Sequence, residues 1–179
     1  GQSQRFTEPE SFQPVIDTVG DKCVAIGYFY YHNATDSKLG TRTACLTGEG
    51  EKKTFELSPE NLYSDNYNFH AIAGLSATKY VLAKAGDATG MNDIIFQLAT
   101  ITNGTIKVGK ELRMMNRTNY GFFDMDNLND HQIIVTFIDG NLDNGLESIL
   151  LVYSDRKDVL IIGPYLDNQD GGASGASEM

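Results

Sequence analysis

Aspartates at alternating or near-alternating positions are the first residues here whose types and spacing could do chemistry. The stretch DMDNLND carries Asp124, Asp126 and Asp130, and DGNLDNG carries Asp139 and Asp143. Calcium takes six to eight oxygen ligands from a flexible loop, so Asp124, Asp126, Asp139 and Asp143 are candidate calcium ligands, and calcium is the one cofactor the sequence suggests. Neither stretch has the Gly at the sixth position or the Glu at the twelfth that an EF-hand loop requires. Turn chemistry on a solvated edge is the favoured alternative.

A second candidate is the aromatic run YFYYHN. Tyr28, Tyr30 and Tyr31 could stack on sugar rings if exposed, because a ring face offers apolar contact and the hydroxyl a hydrogen bond. Ordinary strand packing is the favoured explanation. His32, His70 and His131 fall at different phases of the pattern described below, which argues against their convergence on a metal or a nucleophile. No nucleophile elbow, phosphate loop, zinc spacing or Glu-His helix motif is present, so the sequence supports no enzymatic activity.

Three N-glycosylation sequons occur, at Asn33 (NAT), Asn103 (NGT) and Asn116 (NRT), and all three fall in expected loops. Their placement points to a secreted, cell-surface protein. The two cysteines, Cys23 and Cys45, are too few for a disulfide framework but fall on neighbouring expected strands. A hairpin centred near Asp36 puts Cys45 opposite Gly27 and leaves Cys23 about 13 Å away at ~3.3 Å per residue. That exceeds the ~7 Å reach of a bridge, and only an asymmetric loop would permit one.

Composition narrows the partners. The 179 residues carry 24 acidic against 14 basic side chains, a formal charge of −10, which argues against nucleic acid because phosphate binding needs clustered Lys and Arg. The longest apolar runs, SILLVY and VLII, are of strand length and far below the ~20 residues that span a bilayer, so membrane insertion is not expected. The chain begins at Gly1 with no signal-peptide pattern, and reads as part of something longer.

The elements that must position these residues emerge from self-similarity. FHAIAGLSATKYVLAKAGD, from Phe69, aligns with FFDMDNLNDHQIIVTFIDG, from Phe122, at a constant offset of 53 residues. FQPVIDTVGDKCVAIGYFY, from Phe12, follows the same plan if one residue before Lys22 is deleted. Downstream, IIFQLATITNGTIKVGKEL, SILLVYSDRKDVLIIGPYL and, more loosely, RTACLTGEGEKKTFELSPENL each read as a strand, a polar turn and a second strand. A Gly109-Lys110, Gly163-Pro164 or Ser58-Pro59 pair follows in each. The only helical candidate, SPENLYSDN, has an N-cap pattern but meets turn formers within a few residues.

Four antiparallel strands per unit of about 50 residues describe a β-propeller blade. The chain resembles a group of propeller repeats of secreted and cell-surface proteins from algae, protists and some bacteria. The residues that carry the resemblance are Ala71–Leu75 (AIAGL), Lys79–Ala83 (KYVLA), Asp87 and Thr105–Gly109 (TIKVG). The resemblance implies an all-β fold of about three four-stranded antiparallel blades, forming part of a larger propeller or an oligomeric ring. The expected divisions are 1–11 as the end of a preceding blade, 12–66, 67–119 and 120–167 as three blades, and 168–179 as a Gly/Ser-rich connection. In a propeller the first strand of each blade lies nearest the axis, where space is scarce, which would explain Ala71 and Ala73 in place of bulkier residues. Their counterparts are Asp124 and Asp126 in the third copy and Pro14 and Ile16, with Asp17 adjacent, in the first; the acidic residues among them would then face a solvated channel or a bound ion.

Function follows only in outline. The expected role is a non-enzymatic, extracellular structural or adhesive propeller module, with further blades of the same chain or another copy, or an extracellular protein or glycan surface, as partner. A lectin-like carbohydrate-binding propeller is the alternative. It requires each copy to carry the same pocket, and the tyrosine run has no counterpart in VLAKAG or VTFIDG.

Overall fold

The structure, a computed structural model, describes residues 11–33, 36–63, 69–85, 93–114, 123–139 and 145–167. Among the described residues thirteen strands make three separate antiparallel sheets, none closed into a barrel. The first sheet holds β1 (Ser11–Val19), β2 (Cys23–Asn33), β3 (Asp36–Thr47), β4 (Thr54–Leu57) and β5 (Asn61–Tyr63). The second holds β6 (Phe69–Ser76), β7 (Lys79–Ala85), β8 (Ile94–Thr102) and β9 (Thr105–Met114). The third holds β10 (Phe123–Asn129), β11 (Gln132–Asp139), β12 (Gly145–Ser154) and β13 (Val159–Asp167). Apart from β5, which pairs with β3, each strand pairs with the next one of its sheet, and those connections are hairpins.

The fifth strand of the first sheet is less an addition than an interruption. Both β4 and β5 pair with β3, with Leu57 opposite Ala44 and Asn61 opposite Thr41, and Ser58, Pro59 and Glu60 stand out of the ladder between them. Proline cannot donate to a ladder, so the strand breaks there. The Ser58 hydroxyl repairs part of the gap by accepting the Thr43 N–H at 2.9 Å. Register shifts at Leu98 in the second sheet and Leu150 in the third fall opposite Gly109-Lys110 and Gly163-Pro164. The segment Ser58 to Tyr63 is therefore strand and bulge, and the helical candidate SPENLYSDN is corrected over these residues. The only helical element among those described is a 3-10 turn at Gly50–Lys52.

Hairpin chemistry follows the residues. Asn103 (φ 51°) and Gly104 (φ 73°) both adopt positive φ in the two-residue turn joining Thr102 to Thr105, the type I′ pattern that Asn-Gly favours. Two-residue turns also close β6–β7 at Ala77-Thr78 and β10–β11 at Asp130-His131. The β1–β2 connection has three residues, Gly20, Asp21 and Lys22, and so contains the one-residue difference seen when the three stretches are aligned.

The core lies between the sheets, and the second sheet is covered on both faces. Ile72, Tyr80, Leu82, Ile95 and Ala99 pack against Val19, Ala25, Phe29 and Leu39 of the first sheet. From its opposite face Ala71, Ala73, Val81, Phe96 and Leu98 pack against Met125, Ile133, Val135, Phe137 and Leu151 of the third. Strand alternation alone produces this division, since successive side chains point to opposite faces. Val24, Ile26, Tyr28, Ala44 and Leu57 form a third cluster on the far face of the first sheet.

Candidate functional site

Three first strands, β1, β6 and β10, come together with β6 in the middle. The Gly74 N–H donates to Asp17 Oδ2 at 2.7 Å, and Asn127 Nδ2 donates to the Gly74 carbonyl at 2.7 Å. One backbone unit of β6 is thus held from both sides by carboxylate and amide side chains. The approach is so close that a Cβ on Gly74 would stand 1.8 Å from the Thr18 carbonyl oxygen.

An open cleft of about 300 Å³ lies along this junction, lined by Asp17, Asp21, Asp126 and Asp130 together with Gly74 and Ser76. A second, of about 280 Å³, is bounded by Ile16, Asp17, Ala71, Asp124 and Asp126. Asp17, Asp124 and Asp126 of the first strands therefore line open clefts. Ala71 and Ala73 instead turn into the core against the third sheet, both almost fully buried.

Of the calcium candidates, Asp124 and Asp126 have described side chains. Asp124 Oδ1 accepts the Met125 N–H at 2.9 Å, and Asp126 Oδ1 accepts the Asn127 N–H at 2.8 Å, so each caps the amide of its own successor. Asp139 is the last residue of β11 rather than part of the following loop, and Asp143 lies outside the described residues. Among the described residues no three His, Cys, Asp or Glu side chains are placed to hold a metal ion.

The sugar-stacking candidate fails at Tyr28. Its side chain is fully buried, its ring lies over Gly40 so closely that a Cβ there would come within 2.6 Å of it, and its hydroxyl donates to the Glu60 carboxylate. Burial, reinforced by Glu60, pushes the hydroxyl far above the usual tyrosine range. A ring in that position offers no face to a ligand. The side chains of Tyr30 and Tyr31 lie outside the described residues.

Cys23 and Cys45 stand directly opposite in the β2–β3 ladder and are joined in a disulfide, with Cα atoms 4.1 Å apart. The register expected from the sequence is corrected by four residues at this point: Gly27 faces Thr41, not Cys45. The hairpin turns between Asn33 and Asp36 rather than about Asp36 itself. Asn33 ends β2, Asn103 sits exposed in its hairpin turn, and Asn116 lies outside the described residues.

Two polar clusters had no signal in the sequence. Between the first and second sheets, Lys84 is almost completely buried, with Nζ 3.4 Å from Glu111 Oε1 and 4.7 Å from the centre of the Tyr63 ring. The Thr41, Tyr63 and Tyr80 hydroxyls at this interface are buried without a hydrogen-bond partner. Burial raises both tyrosines above their ordinary range. Between the second and third sheets, Lys79 Nζ lies 2.8 Å from Asp158 Oδ1, which also accepts the Tyr153 hydroxyl at 2.9 Å. His131 stacks on Tyr153 and pairs with Asp155. Each cluster needs residues far apart in sequence, and a lone Lys on a strand carries no mark of its partner.

No family model, curated protein or solved structure matches the chain.

Proposed function

We propose that this chain is a non-enzymatic, extracellular structural or adhesive module made of β-propeller-type blades. The observation that carries the reading is the junction at Gly74, where the first strands of three sheets lie side by side and the middle sheet is packed on both faces. Radially stacked four-stranded sheets with their first strands at the crowded centre are the arrangement of a propeller. The Cys23–Cys45 bridge favours an oxidising compartment, because disulfides persist outside the cytosol.

Intact mass of the native protein before and after enzymatic deglycosylation tests the extracellular assignment. A loss of glycan mass mapping to Asn33, Asn103 or Asn116 is expected, and three unmodified sequons would remove the main support for secretion. The lectin alternative loses its first residue with Tyr28 buried. Reproducible millimolar or tighter binding on a glycan array would restore it.

A further inference from the structure

The seven large apolar side chains that stand exposed among the described residues all lie on the two end faces of the stack of sheets. Ile16, Phe55 and Leu62 are on the far face of the first sheet, on the rungs of Ile26, Leu46 and Gly40. Between them Ile26, Tyr28 and Ala44 are buried and pack with Val24 and Leu57. Leu128, Leu146, Val159 and Ile161 are on the outer face of the third sheet, together with Ile134, Leu150 and Val152. Monomeric proteins rarely leave contiguous apolar patches open without using them.

Matching rungs of the three ladders show that the same places are covered wherever a neighbouring sheet exists. Ile16, paired with Ile26, holds the place of Ile72, paired with Leu82, and of Met125, paired with Val135. Phe55 holds that of Ile106 and Leu160. Ile72, Met125, Ile106 and Leu160 are buried against the preceding sheet, whereas Ile16 and Phe55, which have no preceding sheet among the described residues, are 64% and 47% exposed. On the opposite side Leu128 holds the place of Leu75, and Leu146 that of Ile94. Leu75 and Ile94 are buried against the following sheet, while Leu128 and Leu146 are 53% and 46% exposed. The sheets share one polarity, and both internal seams join the following-side face of one sheet to the preceding-side face of the next. The far face of the first sheet and the outer face of the third are the two unlike halves of one more such seam.

We propose that the outer face of the third sheet docks the far face of the first sheet of a second copy, so that two copies close a ring of six sheets through two identical seams. Closure selects both the occupant and the number. Closed propellers typically have about four to eight blades, so three sheets are too few, six fit and nine are too many. A two-fold axis along the centre of the ring relates the copies, and each gives its third sheet to one seam and its first sheet to the other. Asp126 supports the same arrangement at the centre, because it stands on the rung of Asp17: Asp17 pairs with Ala25, Ala73 with Val81 and Asp126 with Ile134. Asp17 accepts its own Thr18 N–H with Oδ1 at 2.7 Å and reaches the backbone of the next sheet with Oδ2. Asp126 accepts its own Asn127 N–H with Oδ1 in the same way, which leaves Oδ2 for the backbone of the partner's first strand. Asp124 and Asp126 also border the cleft shared by the three first strands, which a ring turns into its central channel, so neither carboxylate is shut in against apolar side chains. Four strands about 4.8 Å apart and about seven residues long give roughly 450 Å² per seam. Two seams bring each copy to about 900 Å², in the class of a stable interface at ~800 Å² per partner. The inference deepens the propeller reading by naming what completes it, and rests on that reading.

Sedimentation equilibrium of the 179-residue chain across the micromolar range tests it, with Ile16→Glu on the first sheet, Leu146→Glu on the third and, as control, Thr78→Glu in the β6–β7 turn of the middle sheet. All three positions are exposed, so the variants should fold, with the Cys23–Cys45 bridge and far-ultraviolet dichroism as checks. The wild type should reach twice its monomer mass and stop there. Ile16→Glu and Leu146→Glu should each weaken dimerisation by roughly ten-fold or more, because either one enters both seams, and Thr78→Glu should leave it unchanged. A wild type that stays monomeric overturns the proposal, as does a mass that climbs past two copies. A dimer that responds to only one of the two substitutions pairs like faces and overturns it too. A folded monomer with occupied sequons leaves the extracellular module standing without the ring, whereas a dimer with empty sequons keeps the ring and removes the extracellular assignment.

Discussion

The Gly74 N–H reaches across to the Asp17 carboxylate at 2.7 Å, and this bond places β6 so near β1 that no side chain fits between them. The blocking atom is the Thr18 backbone oxygen, which cannot rotate away. Gly74→Ala must therefore push the first and second sheets apart and stretch the Asp17 bond. We expect a loss of about 3 kcal/mol, the upper end of overpacking costs. Gly104→Ala is the control: its φ is 73°, but a Cβ there meets nothing within 4 Å, so only the left-handed strain of about 1 kcal/mol applies. Urea unfolding of the two variants should rank them in that order. Equal losses would mean that the close approach is relieved at little cost.

The Cys23–Cys45 bridge closes a segment with a sequence separation of 22. Loop-entropy arguments put its contribution at about 3 kcal/mol. Replacing both cysteines by Ser should lower the denaturation midpoint accordingly without changing the β-rich dichroism. Reduction of the wild type should produce a similar shift, and a mass map free of the bridge in oxidised protein would contradict the β2–β3 register itself.

The polar seam between the first and second sheets yields an opposite sign. Tyr80 is fully buried and its hydroxyl has no partner, so it bears a desolvation cost without a compensating bond. Tyr80→Phe keeps the ring that packs in the core and removes the cost, and should be neutral or stabilising by about 1 kcal/mol. Lys84→Ala at the same interface should be destabilising by about 3 kcal/mol, since it opens a cavity and strips Glu111 of a cation. Thermal melts compare the two directly. A clear loss of stability in Tyr80→Phe would show that the hydroxyl is bonded in solution.

How much of this was legible beforehand can be seen at particular residues. The 53-residue offset placed the Ala77-Thr78 and Asp130-His131 turns in register, and the single deletion before Lys22 matches the longer β1–β2 turn. Period-2 alternation and Asn-Gly chemistry are local, and local rules suffice for strands and hairpins. The Cys23–Cys45 register was lost because it depends on where a long hairpin turns, and the eight residues around Asp36 hold no single dominant turn signal. Tyr28 stays ambiguous in sequence for a related reason: an aromatic run shows neither which face each ring takes nor that Gly40 and Glu60 wait across the ladder. The Lys84 and Asp158 clusters depend on how one sheet stacks on the next, which no stretch of sequence records.

The tie between the second and third sheets at Asp158 responds to pH. Lys79 and Tyr153 both direct hydrogens at Asp158, and these bonds hold its carboxyl below the usual aspartate value. A depressed folded-state value means that the contribution is fully present above the unfolded pKa of about 3.9 and disappears as pH falls through the lower, folded one. Asp158 is largely exposed, so its contribution should stay within about 1 kcal/mol. Asp158→Asn should therefore be slightly less stable than wild type at neutral pH, by a margin that does not change down to about pH 5. Below about pH 4 the two stability curves should converge, because protonation of the wild-type carboxyl removes what the substitution has already removed. Raised salt should shrink the neutral-pH gap, as expected for a screened surface pair. Chemical denaturation in a pH series decides the matter: a gap that widens in acid would place the stabilising interaction on some other group.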